Sequence, residues 1–190
     1  MTRLLALASV ALLAAAPAFA QMPGGAPQKV TLAQGLQRAY DGVRRNLIEM
    51  SEKMPESDYG YKPHPDSRAF GQLFAHAAQS MYGACAALKG VANPIQGKNL
   101  EQDLKAKAEF VKALVDAYAF CDEAVKAMTD ANVAELVKQG QNEVARGSIV
   151  AGLTSHNNEM YGTGAAYMRA KGLVPPSTER AQQMMRKQGQ

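Results

Sequence analysis

An all-α four-helix bundle is predicted for this 190-residue chain by three observations. Four segments carry apolar residues stepping by three or four, the spacing of one helix face. Breakers rich in Gly, Pro and Asn separate those segments. No segment shows convincing strand alternation, and the chain has no internal repeat or low-complexity tract. Four long helices that each bury one stripe are most economically satisfied by packing together. With 47% apolar residues, the chain can build one well-buried core, so a single domain is expected.

Residues 1–20, "MTRLLALASVALLAAAPAFA", join one Arg to an apolar run and end in Ala18-Phe19-Ala20, the pattern of a cleaved secretory signal peptide. The run from Leu4 to Ala16 is about thirteen residues, short of the roughly 20 a membrane-spanning helix needs. The mature chain is therefore expected to begin near Gln21, to lack a transmembrane segment and to be periplasmic or secreted. Cleavage removes Arg3 and no acid, which lowers the formal charge from +4 to +3. Lys and Arg are scattered among Asp and Glu with no aromatic interleaving, so no nucleic-acid partner is expected.

Residues 21–30, including "QMPGGAPQK", read as a flexible leader. The bundle then occupies residues 31–176. Thr31 and Gln34 form a capping box, and Leu32, Leu36, Ala39, Val43, Leu47, Met50 and Met54 mark the first stripe. "MPESDYGYKPHPDS" interrupts, and Asp66 or Ser67 is expected to cap a second helix with the stripe Phe70, Leu73, Ala77, Met81, Ala84 and Leu88. "KGVANPIQGKN" breaks it. Asn99 is expected to cap a third helix with Leu104, Ala108, Val111, Val115, Tyr118, Val125 and Met128 inside. A short segment, "DANVAELVKQG", leads to a fourth helix from about Asn142 to Lys171, stopped by Gly172 and Pro175-Pro176. The tail, residues 177–190, is read as a loose extra helical turn or as disorder.

Three histidines are candidates for chemistry. His64, between prolines in "KPHPD", reads as an exposed turn residue. His76 lies on the shoulder of the second stripe. His156 shares a face of the fourth helix with Ile149, Leu153, Met160 and Tyr167, so it is expected to point inward, where an imidazole needs a partner. Met160 lies one turn after His156, the spacing at which one helix supplies two ligands. Gly162 and Gly164 read as sites of close helix approach. No nucleophile elbow, P-loop, dinucleotide-binding glycine pattern or haem-attachment motif is present.

The segments "MPESDYGYKPHPDSRAFGQLFAHAAQSMY" and "HNNEMYGTGAAYMRAKGLVPPS", with the spacing between them, resemble the DinB-like family of metal-binding helical bundles, in particular a secreted branch. The resemblance implies an up-down-down-up bundle and a divalent metal held by three histidines, one from the second helix and two from the fourth at i and i+4. Here those positions are His76, His156 and Met160. A thioether is a weak, soft donor, so a site of two imidazoles and Met160 is expected to hold Zn or Ni at low occupancy. Glu159 is a candidate substitute, although it points roughly 60° away from His156 around the helix. Family members include thiol-dependent S-transferases, so a small molecule or thiol is the implied partner class. A degenerate, non-catalytic metal site is the favoured reading, and a metal-dependent thiol transferase or hydrolase is the alternative. The chain is also compatible with a homodimer.

Two cysteines in an exported chain suggest a disulfide between Cys85 and Cys121. If the second and third helices ran antiparallel through a short loop, the sulfurs would lie tens of ångströms apart. If they run parallel, as the resemblance implies, the cysteines fall at similar heights. The eleven residues from Lys89 to Asn99 can stretch about 33 to 40 Å, enough to return along a helix of about 20 residues.

Overall fold

The computed structural model describes residues 28–189, which form six α-helices, one 3-10 turn and a β-hairpin. The expected signal peptide and most of the expected leader fall within residues 1–27, outside the described residues. Helix α1 spans Leu32–Lys53, and the expected capping box is present: Gln34 donates its backbone N–H to the Thr31 hydroxyl, and Thr31 donates its own to the Gln34 side chain. Its buried face is Ala33, Tyr40, Val43, Leu47 and Met50. Leu32 and Ala39, expected inside, are exposed, and Tyr40 is buried in their stead on the inner face.

Helix α2, Phe70–Lys89, starts later than an Asp66 or Ser67 cap would require. Its N-cap is Ala69, whose N–H donates to the Gln72 side chain at 2.8 Å. The entry is fixed by the 3-10 turn Glu56–Asp58 and by Phe70 N donating to the Tyr61 carbonyl. The predicted third helix is two. Asn99 does act as a cap, but only for the four-residue α3, Leu100–Asp103. The chain then extends through Leu104 and restarts as α4, Lys107–Lys126, where Glu109 reaches back to accept from the backbone N–H groups of Lys105 and Ala106. The restart changes the inward frame. Phe110, Leu114, Ala117, Tyr118, Cys121 and Val125 are buried, whereas Ala108 and Val115 of the expected stripe are exposed.

A hairpin of β1, Leu136–Gln139, and β2, Asn142–Ala145, corrects the expectation of no strand. Its two-residue turn carries Gly140 at φ +62°, and no non-glycine residue among those described has positive φ, as a II′ turn demands. Helix α5 consequently begins at Arg146 rather than Asn142 and runs to Ala170, where Gly172 at φ +72° ends it. The tail is more ordered than a loose turn: α6 spans Pro176–Gln188, with Pro at its start and Arg186 and Lys187 in its last turn. Glu179 pairs with Lys53, and Arg180 with Glu49 and Asn46, so the first turns of α6 lie against α1.

Contacts between helices fix the directions. The starts of α2 and α4 meet where Gly71 lies under Phe110, and a Cys85–Cys121 disulfide joins them further along, with Cα atoms 5.2 Å apart. These two helices are therefore parallel. Leu36 against Gly147 and Met50 against Gly164 make α1 and α5 parallel, while Lys107 donating to the Met54 carbonyl and Gln37 to that of Met128 make α1 and α4 antiparallel. The order is up-down-down-up. A Cβ on Gly164 would sit 2.5 Å from the Met50 sulfur, so this glycine does permit close approach; Gly162 has nothing within 4 Å and does not. No helix among the described residues is long and apolar enough to cross a membrane.

Candidate functional site

The two mid-helix histidines meet where α2 crosses α5. Their ring centroids are 4.9 Å apart and their planes are inclined by 44°. His76 Nδ1 lies 2.6 Å from Glu101 Oε1, and Arg68 Nε donates to Glu101 Oε2 at 2.8 Å. Burial raises the Glu101 pKa, but hydrogen bonds from Arg68 and His76 outweigh it and hold the carboxyl below its usual range. An ionised carboxylate only accepts, so Nδ1 of His76 is the donor in this contact.

Glu101 is placed by its own helix. Leu100 N donates to the Gln79 side chain at 2.9 Å, and Gln72 donates to the Glu101 carbonyl at 3.2 Å, which fastens α3 across α2. His156 is half-buried, and its Nδ1 is fully buried with no hydrogen-bond partner among the described residues. The inward placement of His156 thus leaves one nitrogen unsatisfied, an arrangement that normally costs about 1–3 kcal/mol.

Met160 and Glu159 stand differently. Met160 is buried, and Glu159 is exposed. Both line an open cleft of about 480 Å³ together with Arg68, Gln72, Glu101 and Tyr167. His156 borders a second cavity of about 230 Å³ beneath the hairpin, with Ser80, Gln139 and Val144. His76 and His156 are therefore brought together, Met160 forms part of the adjoining cleft, and Glu159 stays at its rim. No group of three or more His, Cys, Asp or Glu residues with metal-binding geometry occurs among the described residues. His64 is exposed in its turn, where its Nδ1 accepts from Asp66 N. Glu101 was not anticipated as a site residue; the only sequence signal is its position just after the Asn99 cap.

The sequence profile of the DinB superfamily matches residues 39–163. The chain belongs to the DinB superfamily. The matched DinB segment contains His76, Glu101, His156, Met160 and both cysteines, while α6 lies beyond it. Among solved structures, a DinB-like protein from Bacillus cereus ATCC 10987 is similar at a TM-score of 0.63 and 14% identity, covering 75% of this chain and 95% of that one. A DinB-like protein from Bacillus subtilis gives 0.59 and 18%, covering 74% and 94%. A conserved protein from Enterococcus faecalis gives 0.60 and 12%, covering 74% and 97%. At these identities the likeness concerns the DinB fold alone. No curated protein matches the chain in sequence.

Proposed function

We propose that this DinB bundle is an exported metal-binding protein with an incomplete site, in which His76 and His156 hold Zn²⁺ or Ni²⁺ at low occupancy and no catalysis follows. The observation that carries this reading is the pair of facing imidazoles: His76 is oriented by Glu101 through Nδ1, and His156 Nδ1 is buried without a partner. A carboxylate behind a histidine is the usual device for aligning a ligand. A bound metal would supply Lewis acidity at the two rings. Two imidazoles retain a borderline metal poorly when the next donor on the helix is the thioether of Met160, and a catalytic site needs three firm protein ligands and an open position. The signal-peptide pattern and the disulfide support a place outside the cytoplasm.

A second reading, a metal-dependent thiol S-transferase or hydrolase, is favoured by the cleft beside Met160, which has room for a small substrate. One substitution separates the two. Met160→His adds a strong ligand on the same helix turn, and calorimetric titration with Zn²⁺ should show at least tenfold tighter binding, about 1.4 kcal/mol. His76→Ala in the same chain should remove the gain. Equally weak binding by the wild type and Met160→His would mean that residue 160 does not share a centre with the histidines and would sink the metal reading. Equally tight, stoichiometric binding by both would favour the enzyme.

A further inference from the structure

Arg68 lies in the loop that leads into α2, and its backbone and side chain serve different helices. Its carbonyl accepts from the Tyr167 hydroxyl at 3.2 Å. Tyr167 is buried on the face of α5 that also carries His156 and Met160, so this bond fixes the loop to the helix of His156. The guanidinium donates from Nε to Glu101 Oε2 at 2.8 Å, and the other oxygen of that carboxylate lies 2.6 Å from His76 Nδ1. Arg68 therefore joins the frame of one imidazole to the carboxylate that orients the other.

The loop is a firm base for this reach. The Tyr61 and Tyr167 rings meet edge to face with centroids 5.8 Å apart. Lys171, one turn beyond Tyr167, stands 4.7 Å from the Tyr61 ring centre and pairs with Asp58 at 2.8 Å. The far end is held less firmly. Helix α3 has four residues, too few to keep a helical shape by themselves, and Gln72 and Gln79 hold its backbone rather than the Glu101 carboxylate. Among the described residues, Arg68 is the one Lys or Arg that pairs with that carboxylate. A guanidinium donates along fixed directions in its plane, so it sets the orientation of the carboxylate as well as attracting it.

We propose that Arg68 is the positioning residue of the histidine pair: through Glu101 it sets the direction of the His76 ring, and through Tyr167 it ties that direction to the helix that presents His156. The inference deepens the metal-site reading and rests on it for affinity alone, because ring orientation is measured in chelator-treated protein. The test is NMR of the mature chain in EDTA with ¹⁵N-labelled imidazoles. In the wild type the His76 Nδ1 proton should exchange with water far more slowly than the ring protons of exposed His64, and the His76 and His156 rings should cross-relax. Arg68→Ala should speed the His76 exchange at least tenfold and weaken the ring-to-ring signal, with circular dichroism unchanged. Arg68→Lys, which keeps a cation on a similar stem, should recover most of the protection. Tyr167→Phe, which frees the Arg68 carbonyl, should weaken the ring-to-ring signal. Fast exchange in the wild type or protection kept in Arg68→Ala overturns the proposal. So does a loss that Arg68→Lys does not recover, and an unchanged signal in Tyr167→Phe overturns the tie to α5. In the Met160→His chain, adding Arg68→Ala should weaken Zn²⁺ binding at least tenfold, a common cost of removing support behind a ligand, and undiminished binding there also overturns the proposal. A Met160→His chain that binds no Zn²⁺ sinks the metal reading instead, and the exchange measurements then decide on Arg68.

Discussion

At Gly71 the chain leaves no room for a side chain. A Cβ built there would lie 2.8 Å from one Phe110 ring carbon and 2.9 Å from a Tyr59 ring carbon, in the aromatic cluster that joins the starts of α2 and α4. Rings held by packing on all sides yield at a cost, so Gly71→Ala should destabilise the fold by about 1–3 kcal/mol, read as a lower thermal midpoint. Gly162→Ala, with open space around it, is the control. A second residue works through charge. Asp130 Oδ1 accepts from Ala33 N at 3.0 Å, so a side chain from a distant loop supports the start of α1. The Ala33 hydrogen bond, with further help from Thr31 and Leu32, lowers the Asp130 pKa. A carboxylate whose folded pKa lies below its unfolded value stabilises above the unfolded value and loses that contribution as pH falls through the folded one. Thermal melts should therefore show Asp130→Ala less stable than wild type at neutral pH, with the gap closing in acid; an equal gap at both would reject the charge account.

Among the elements, α1, α2 and α5 were legible because one stripe dominates each, and α4 was not. Tyr118 and Val125 of the predicted stripe are buried, but Ala108, Val111 and Val115 step onto Tyr118 as regularly as Phe110 and Leu114 do, so periodicity alone cannot say which row of the first half faces in. The larger side chains take the interior once Glu109 restarts the helix. The hairpin escaped for another reason: its strands are four residues each, too short for alternation to register, and only Gly140 in "QGQN" hints at the turn. The histidine pair was legible as spacing on two helices. Glu101 was not, since its approach to His76 depends on α3 folding back across α2, which no local pattern encodes. The parallel α2–α4 pair carries its own prediction. Cys85 and Cys121 are 36 residues apart, for which chain entropy gives about 4 kcal/mol, so Cys85→Ala with Cys121→Ala should cost about 2 to 4 kcal/mol in denaturant titrations. A loss well under 1 kcal/mol would mean that packing alone holds the pair.

For the molecule as a whole, the proposed export predicts a mature N-terminus at or near Gln21, which N-terminal sequencing of protein recovered from the periplasm or medium would establish. Intact Met1 in the cytoplasm would remove that proposal and leave the sulfurs in a compartment that keeps thiols reduced.

The sulfur bridge also makes part of the chain a macrocycle. Residues 85 through 121 form a closed ring, and α3 with Glu101 lies inside it. When the helices on either side breathe, an open crossover would let Glu101 drift from α2, whereas a ring bounds how far it strays and shortens its return. His76 keeps its orienting carboxylate through motions that would otherwise separate them. The bond between two sulfurs on α2 and α4 thus limits how far the carboxylate that orients His76 can stray from it.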